Sequence, residues 1–358
     1  MKILFVGGGT MGSVSPLLAI SQKIKAELGQ RNESVGFLWL GTKSGPEREV
    51  VEKNNIRFQV VAAGKLRRYF DWHNVADVFN ILVAMWQSFF ILIKFRPQVI
   101  LTAGSFVAVP VAVVGWILGV PIFVHQQDVE VGLANKIMSL LAKKITVALE
   151  ESVRDFPARK TVLVGNPVRK FPISNFQFPN RSQILNLKFQ NTLPTILILG
   201  GGTGAVAINE LVWQALPELI KFCNLVHITG KNKGNIDENE NYKQFEFLGD
   251  EIFEAIKMST LVVSRAGMSA LTELAYFSKP TIIIPIPNSH QEKNAKYFQE
   301  KNAGVYLRQN ELTVEIFVAE IQNLLNDEAK KKDLGKNMHN IFIDYSGEKM
   351  VEEILKFK

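Results

Sequence analysis

One cysteine, Cys223, stands in 358 residues. It cannot build a disulfide framework or a cysteine-based zinc site, and its isolation fits a reducing compartment. The chain also lacks an Asp-x-Asp pair to hold a divalent metal, a His-Glu-x-x-His helix, a Walker A lysine and a Gly-x-Ser-x-Gly elbow. Those gaps remove the usual metal-assisted, P-loop and serine-hydrolase chemistries. No apolar run is long and clean enough for a simple span of roughly 20 residues. The longest candidate, 75–93, is interrupted by Asp77, Asn80 and Gln87 and falls between two strand-like runs of one sheet. No secretory leader is expected, because residues 2–6 already read as a strand.

What is present is core. Hydrophobic residues make up 47% and charged residues 21%, the balance of an α/β protein whose sheets are covered on both faces. Short apolar runs near 3–6, 35–40, 58–61, 99–102 and 122–125 alternate with helix-length segments, which is the rhythm of βαβ units and a parallel sheet. The rhythm pauses at Gly165-Asn166-Pro167 and restarts at 195–199. The expected division is 1–168, then 169–340, with 341–358 a C-terminal helix that could pack back on the first domain. The net charge of +7 favours an anionic partner: nucleic acid, phosphorylated substrate or acidic lipid. Nucleic acid is the weakest of these, since outside residues 65–70 no basic strip with interleaved aromatics appears. The segment 65–96, with Lys65, Arg67, Arg68, Lys94 and Arg96 flanking an apolar helix, reads as a core helix or as one lying on a membrane surface.

Each half opens on a glycine turn. Gly7-Gly8-Gly9-Thr10-Met11-Gly12 fits the dinucleotide fingerprint in letter, yet after the second strand no acid appears until Glu47, so a nicotinamide nucleotide is not expected. Such glycines let backbone amides approach an oxyanion or a sugar, and a helix N-terminus adds about half a positive charge. The second turn, Gly200 to Gly204, suits a pyrophosphate or simply tight strand-to-helix packing. Together they suggest a ligand cleft between two similar domains. Arg265 and Gly267 follow a further strand, with Glu273 placed to receive ribose hydroxyls or to stand as a surface charge. His125 ends a strand and opens His125-Gln126-Gln127-Asp128, though a lone histidine is more often structural than catalytic.

In combination these motifs resemble the MurG family of peptidoglycan N-acetylglucosaminyltransferases. The likeness runs through Gly8 to Ser13, Gly104 to Ala108, His125 to Asp128, Gly132 to Asn135 and the intact Gly165-Asn166-Pro167-Val168-Arg169. It continues through Gly201 to Gly204, Arg265 to Glu273, His290-Gln291 and Asn294-Ala295. The resemblance implies two Rossmann-like domains of GT-B architecture facing across a cleft, UDP-N-acetylglucosamine as donor and a lipid-linked acceptor. It further implies peripheral attachment to the anionic cytoplasmic face of the bacterial inner membrane, and neither metal nor cofactor. Donor contacts carried over by this likeness are Gly9, Thr10, Met11, Asp128, Arg169, Gly202, Thr203, Gly204, Leu248, Arg265, Gly267, Met268, Ser269, Glu273, Gln291 and Asn294. The acceptor side takes Gly12, Ser105, Phe106, Gln126 and Asn135, and the catalytic group Ser13, His125 and Asp128.

The departures lie on the acceptor side: Ser13 replaces the family's histidine, Gln126 its glutamate and Asp128 its asparagine. Asp128 is the expected general base, being with Glu130 one of two carboxylates in that loop, and such a base typically adds roughly 10²–10⁴-fold. Arg169 or Arg265 and helix N-termini would stabilise the departing diphosphate. Two rivals stay open: a related transferase with another glycolipid acceptor, and a catalytically impaired UDP-sugar-binding partner of a membrane synthase.

Overall fold

The computed structural model describes residues 1–64, 73–169, 189–200, 205–234, 236–249 and 251–358. The chain divides into two units, Met1–Lys170 with Ile343–Lys358, and Phe171–Phe342.

In unit 1, β1 (Lys2–Val6), β2 (Gly36–Gly41), β3 (Arg57–Val60), β4 (Val99–Thr102), β5 (Ile122–Gln126), β6 (Lys144–Val147) and β7 (Thr161–Leu163) form one sheet in the order β3-β2-β1-β4-β5-β6-β7. Every pairing is parallel. Successive side chains of a strand point to opposite faces, so its residues must divide between two cores. Leu4 and Val6 pack with Ile100, Val124, Val111 and Met138, on the face that carries α3 (His73–Phe95), α4 (Ala108–Ile117) and α5 (Leu133–Leu141). Ile3 and Phe5 pack with Leu101, Phe123, Leu17 and Val51, on the face of α1 (Ser15–Gln30) and α2 (Glu47–Lys53).

The long apolar segment is therefore a helix of the domain. Ala84, Ile91 and Leu92 of α3 are buried in the sheet's core, and among the described residues no helix is long and apolar enough to cross a membrane.

In unit 2, β8 (Thr195–Leu199), β9 (Asn224–Ile228), β10 (Tyr242–Phe245), β11 (Leu261–Ser264), β12 (Thr281–Ile283) and β13 (Val305–Tyr306) repeat the pattern in the order β10-β9-β8-β11-β12-β13. They too are parallel throughout. Around them lie α6 (Val206–Leu219), α7 (Ile252–Met258), α8 (Met268–Tyr276), α9 (His290–Glu300), α10 (Val314–Asn326) and α11 (Glu328–His339). Both sheets are doubly wound, and the strand order reverses beside β1 in one and β8 in the other. In such sheets ligands bind outside the carboxyl ends of the strands at that reversal.

The last helix, α12 (Glu348–Leu355), belongs to unit 1. The segment before it returns along the Gly165 loop: Asn166 N–H donates to Asp344 O (3.1 Å) and Val168 N–H to Tyr345 O (3.0 Å). Gly165 has φ 76°, and a Cβ there would strike the Asp344 backbone, so glycine is required twice over. Met350, Val351 and Ile354 of α12 are buried among Ile3, Phe5 and Leu17. Ile354→Ala should cost about 2–4 kcal/mol, as loss of a buried Ile side chain does, read as a lower urea midpoint. Exposed Ile343→Ala should stay within about 0.5 kcal/mol.

Candidate functional site

At the carboxyl edge of unit 1, four loops are latched by neutral side chains. Asn135 Nδ2 donates to Gln126 Oε1 (2.7 Å), which aims Gln126 Nε2 at the carbonyls of Asp128 (2.7 Å) and Glu130 (3.2 Å). Gln127 Nε2 reaches the Gly12 carbonyl (2.9 Å), and Asn166 Nδ2 reaches Gln127 Oε1 (3.4 Å). Ser105 Oγ donates to Gly8 O (2.9 Å), tying the loop after β4 to the first glycine turn. Thr10 is exposed, Met11, Gly12 and Phe106 are half-buried, and Asp128 is half-buried at the tip of the braced loop. Arg169 is half-buried just after the anchored Val168.

His125 lies inside this network at 0% exposure. Asn166 Oδ1 can only accept, so the 2.9 Å contact makes His125 Nε2 the donor, and Nδ1 then accepts from Thr146 Oγ1 at 3.0 Å. Burial pushes its pKa down to about 4. A histidine enclosed this way and neutral cannot exchange protons with a substrate, so it holds the β5, β6 and β7 ends together instead of acting as a catalytic group. Ser13 is likewise buried, and among the described residues its hydroxyl bonds to nothing. Gln126 and Asn135 are buried, Gln126 bonded to Asn135 and to the loop, while Asn135 Oδ1 has no partner among the described residues. These four, expected among the catalytic and acceptor residues, are all buried at this edge, and His125, Gln126 and Asn135 brace its loops.

The first glycine turn departs from expectation in a second way. Gly9 N–H, expected to face the donor, donates to Glu47 Oε2 at 3.2 Å. The acid that seemed too far along the chain to matter returns to the turn.

In unit 2 the polar loops follow β11 and β12. Arg265 is 7% exposed, and its Nη1 donates to the carbonyls of Ile284 (3.1 Å) and Pro285 (3.0 Å). Among the described residues it has no carboxylate partner. Burial lowers its pKa. Gly267 opens α8, whose Ser269 and Glu273 are half-buried one turn apart on the same face. Asn294, fully buried, donates to Ala266 O (3.0 Å), and Gln291 Oε1 accepts from Ile286 N–H (3.2 Å). The loops after β11 and β12 are thereby joined through α9. Asn294, Met268 and Leu248, expected at the donor, are all three buried, Asn294 bracing the loop after β11. Gly202, Thr203 and Gly204 lie outside the described residues.

A buried relay that the sequence reading did not single out supports the start of α6. Asn209 donates to Thr229 O (2.9 Å) and accepts from His227 Nε2 (3.0 Å), while His227 Nδ1 meets Tyr242 Oη (3.1 Å).

Two doubly wound parallel domains, each with polar loops at its strand ends, form the GT-B class of sugar-nucleotide enzymes. The structure of MurG from Acinetobacter baumannii superposes with a TM-score of 0.71 at 23% identity, covering 99% of each chain. The chain belongs to glycosyltransferase family 28: the family's N-terminal domain matches residues 3–147 and its C-terminal domain residues 195–350. It is thus a hexosyltransferase. A Clostridium kluyveri protein named UDP-N-acetylglucosamine--N-acetylmuramyl-(pentapeptide) pyrophosphoryl-undecaprenol N-acetylglucosamine transferase is 35% identical over 346 residues, 94% of this chain and 93% of its own length. A protein with the same name, numbered 2, from Bacillus thuringiensis subsp. konkukian is 35% identical over 364 residues, 99% of this chain and 98% of that one.

The two buried histidines predict an acid-side loss of stability. The unfolded chain binds their protons near 6.5, whereas the fold holds His125 down to about 4 and His227 to about 3. Between those limits the unfolded state carries more protons, so stability is full above about 6.5 and falls as pH drops toward 4. In urea titrations, His125→Gln should flatten the fall across that window even if it lowers stability overall.

Proposed function

We propose that the chain transfers N-acetylglucosamine from UDP-N-acetylglucosamine to the lipid-linked muramyl-pentapeptide precursor of peptidoglycan, with inversion at the anomeric carbon. The observation that carries the donor side is Arg265. A guanidinium keeps its charge in any protein environment, and burying it against two carbonyls with no carboxylate among the described residues leaves it short of an anion. The diphosphate of the donor supplies that anion. Glu273 and Ser269 sit on the adjoining face of α8, Glu273 being suited to ribose hydroxyls, and Gln291 stands by Gly267 for the sugar.

The acceptor hydroxyl attacks the anomeric carbon, Asp128 receives its proton, and the bond from that carbon to the diphosphate oxygen breaks. UDP leaves with its new charge on Arg265 and the adjoining amides. The step as drawn uses no metal ion. The 35% identity to enzymes named for this lipid-linked acceptor supports its choice, as does the half-buried position of Asp128 on a loop fixed by Gln126.

An acceptor that lives in a membrane calls for an enzyme that sits on one, here the anionic cytoplasmic face of the bacterial inner membrane. The outer face of α3 supports this: Phe79 (66% exposed), Trp86 (67%), Leu82, Phe90 and Ile93 stand in solvent. Trp116 and Ile117 of α4 and Leu133 and Leu140 of α5 are exposed too, α4 packing against both α3 and α5. Lys94, Arg96, Lys136 and Lys143, on those helices or just past them, are exposed cations. Aromatic and basic side chains together are what an anionic interface retains.

Purified chain given radiolabelled UDP-N-acetylglucosamine and the lipid-linked muramyl-pentapeptide should form the disaccharide lipid with or without EDTA. Arg265→Met should lower kcat/KM by roughly 100-fold, as loss of a preorganised charge contact does, and Asp128→Asn should lower kcat by at least about 100-fold. Sugar bound but never transferred at saturating acceptor would sink the transferase reading. In vesicle sedimentation with phosphatidylglycerol, Trp86→Glu combined with Trp116→Glu should weaken binding about tenfold or more, and unchanged binding would remove α3 and α4 from the interface.

A further inference from the structure

Glu47 has no part in the chemistry drawn above, yet it is a charged side chain kept fully buried in unit 1. It opens α2 and is 0% exposed. Its carboxylate accepts from Gly9 N–H (3.2 Å), Thr42 N–H (2.7 Å) and Thr42 Oγ1–H (2.6 Å). No cation pairs with it among the described residues. A Cβ on Gly8 or on Gly45 would overlap the carboxylate, so two separate glycines leave room for it. Burying a carboxylate without a cation is unfavourable unless donors surround it, and three do.

The place it fills is built from one amide of the first glycine turn, Gly9, and from the amide and hydroxyl of Thr42 just after β2, beside the region after the first strand where doubly wound nucleotide-binding folds hold a phosphate. We infer that Glu47 is a resident anion: it occupies the cradle of the first glycine turn, keeps nucleotide phosphate out of unit 1 and positions the turn for the acceptor. Positioning runs through contacts on the same glycines, since Ser105 Oγ grips Gly8 O (2.9 Å) and the Phe106 ring lies against Gly9. Removing the carboxylate frees the turn, and with it the Ser105–Phe106 loop.

This inference rests on the transferase reading for its substrates. Its test uses the full chain, wild type beside Glu47→Gln and Glu47→Ala, with donor and acceptor KM measured separately and sodium formate titrated into each. Glu47→Gln is isosteric but turns an N–H toward Gly9 N–H; acceptor KM should rise about tenfold while donor KM stays within about twofold. Glu47→Ala leaves an empty anion site, and formate at tens of millimolar should restore acceptor KM to within about threefold of wild type. Formate should do nothing for wild type or Glu47→Gln, whose cradles are full. Equal rises in both KM values, or a folded Glu47→Ala indifferent to formate, would overturn the inference. If Glu47→Ala does not fold, the KM split in Glu47→Gln decides alone. A wild type that transfers no sugar overturns the transferase reading, whereas transfer with an unshifted Glu47→Gln overturns only this one.

Discussion

The carboxyl edge of unit 1 depends on keeping most of its buried polar groups bonded without water, the Ser13 hydroxyl and Asn135 Oδ1 being exceptions among the described residues. Parallel strands end there in loops whose carbonyls and amides have no ladder partner, and each one left unpaired costs about as much as a whole hydrogen bond contributes. The chain answers with neutral side chains: Gln126, Gln127, Asn135 and Asn166 arranged around a neutral His125. Each amide offers both a donor and an acceptor, so a chain of them closes with no net charge to desolvate. Among the described residues the one fully buried charge at this edge is Glu47, and it is placed where backbone and hydroxyl donors converge.

The architecture was legible in the sequence because parallel strands buried on both faces read as unbroken apolar runs. The run at 99–102 became β4 with all four residues buried, and the one at 195–199 became β8. Gly165-Asn166-Pro167 read as a pause, and the pause is real, but its partner is the Asp344 and Tyr345 backbone almost the length of the chain away. No local pattern carries that pairing. The segment at 75–93 was ambiguous for a physical reason: one side of α3 is core and the other is exposed apolar surface, so it has no polar face for periodicity to detect.

The site was legible by residue type and less so by role. Polar residues at strand ends stood out, and most of them do gather at the expected edges. What one-dimensional spacing could not separate is a side chain that touches a ligand from one that holds the loop that does. His125, Asn135 and Asn294 read as contacts in sequence, and in space each is seen bracing a loop. Glu47 was set aside because it stands beyond the end of β2, where a ribose-binding acid would be. The turn at Gly41 to Gly45 brings it back to the cradle, and the signal that could have revealed it is the glycine pair, Gly8 and Gly45, that only a close approach explains.

The departures at the acceptor side acquire a physical sense from the same network. Gln126 faces two carbonyl oxygens, at 2.7 and 3.2 Å, and is held from behind by the Asn135 amide. A glutamate in that seat could accept from Asn135 but would set its second oxygen against the carbonyls of Asp128 and Glu130, a repulsion in a site with little water to screen it. With glutamine there the loop closes without strain, and the carboxylate stands at Asp128, half-buried at the tip instead of beneath it. A base must reach the proton it takes before its pKa matters. A neutral brace below and a carboxylate above is therefore one arrangement seen from two positions: the amide at 126 lets the loop hold its shape, and that shape leaves the acid at 128 half-buried, as the proposed role of base requires.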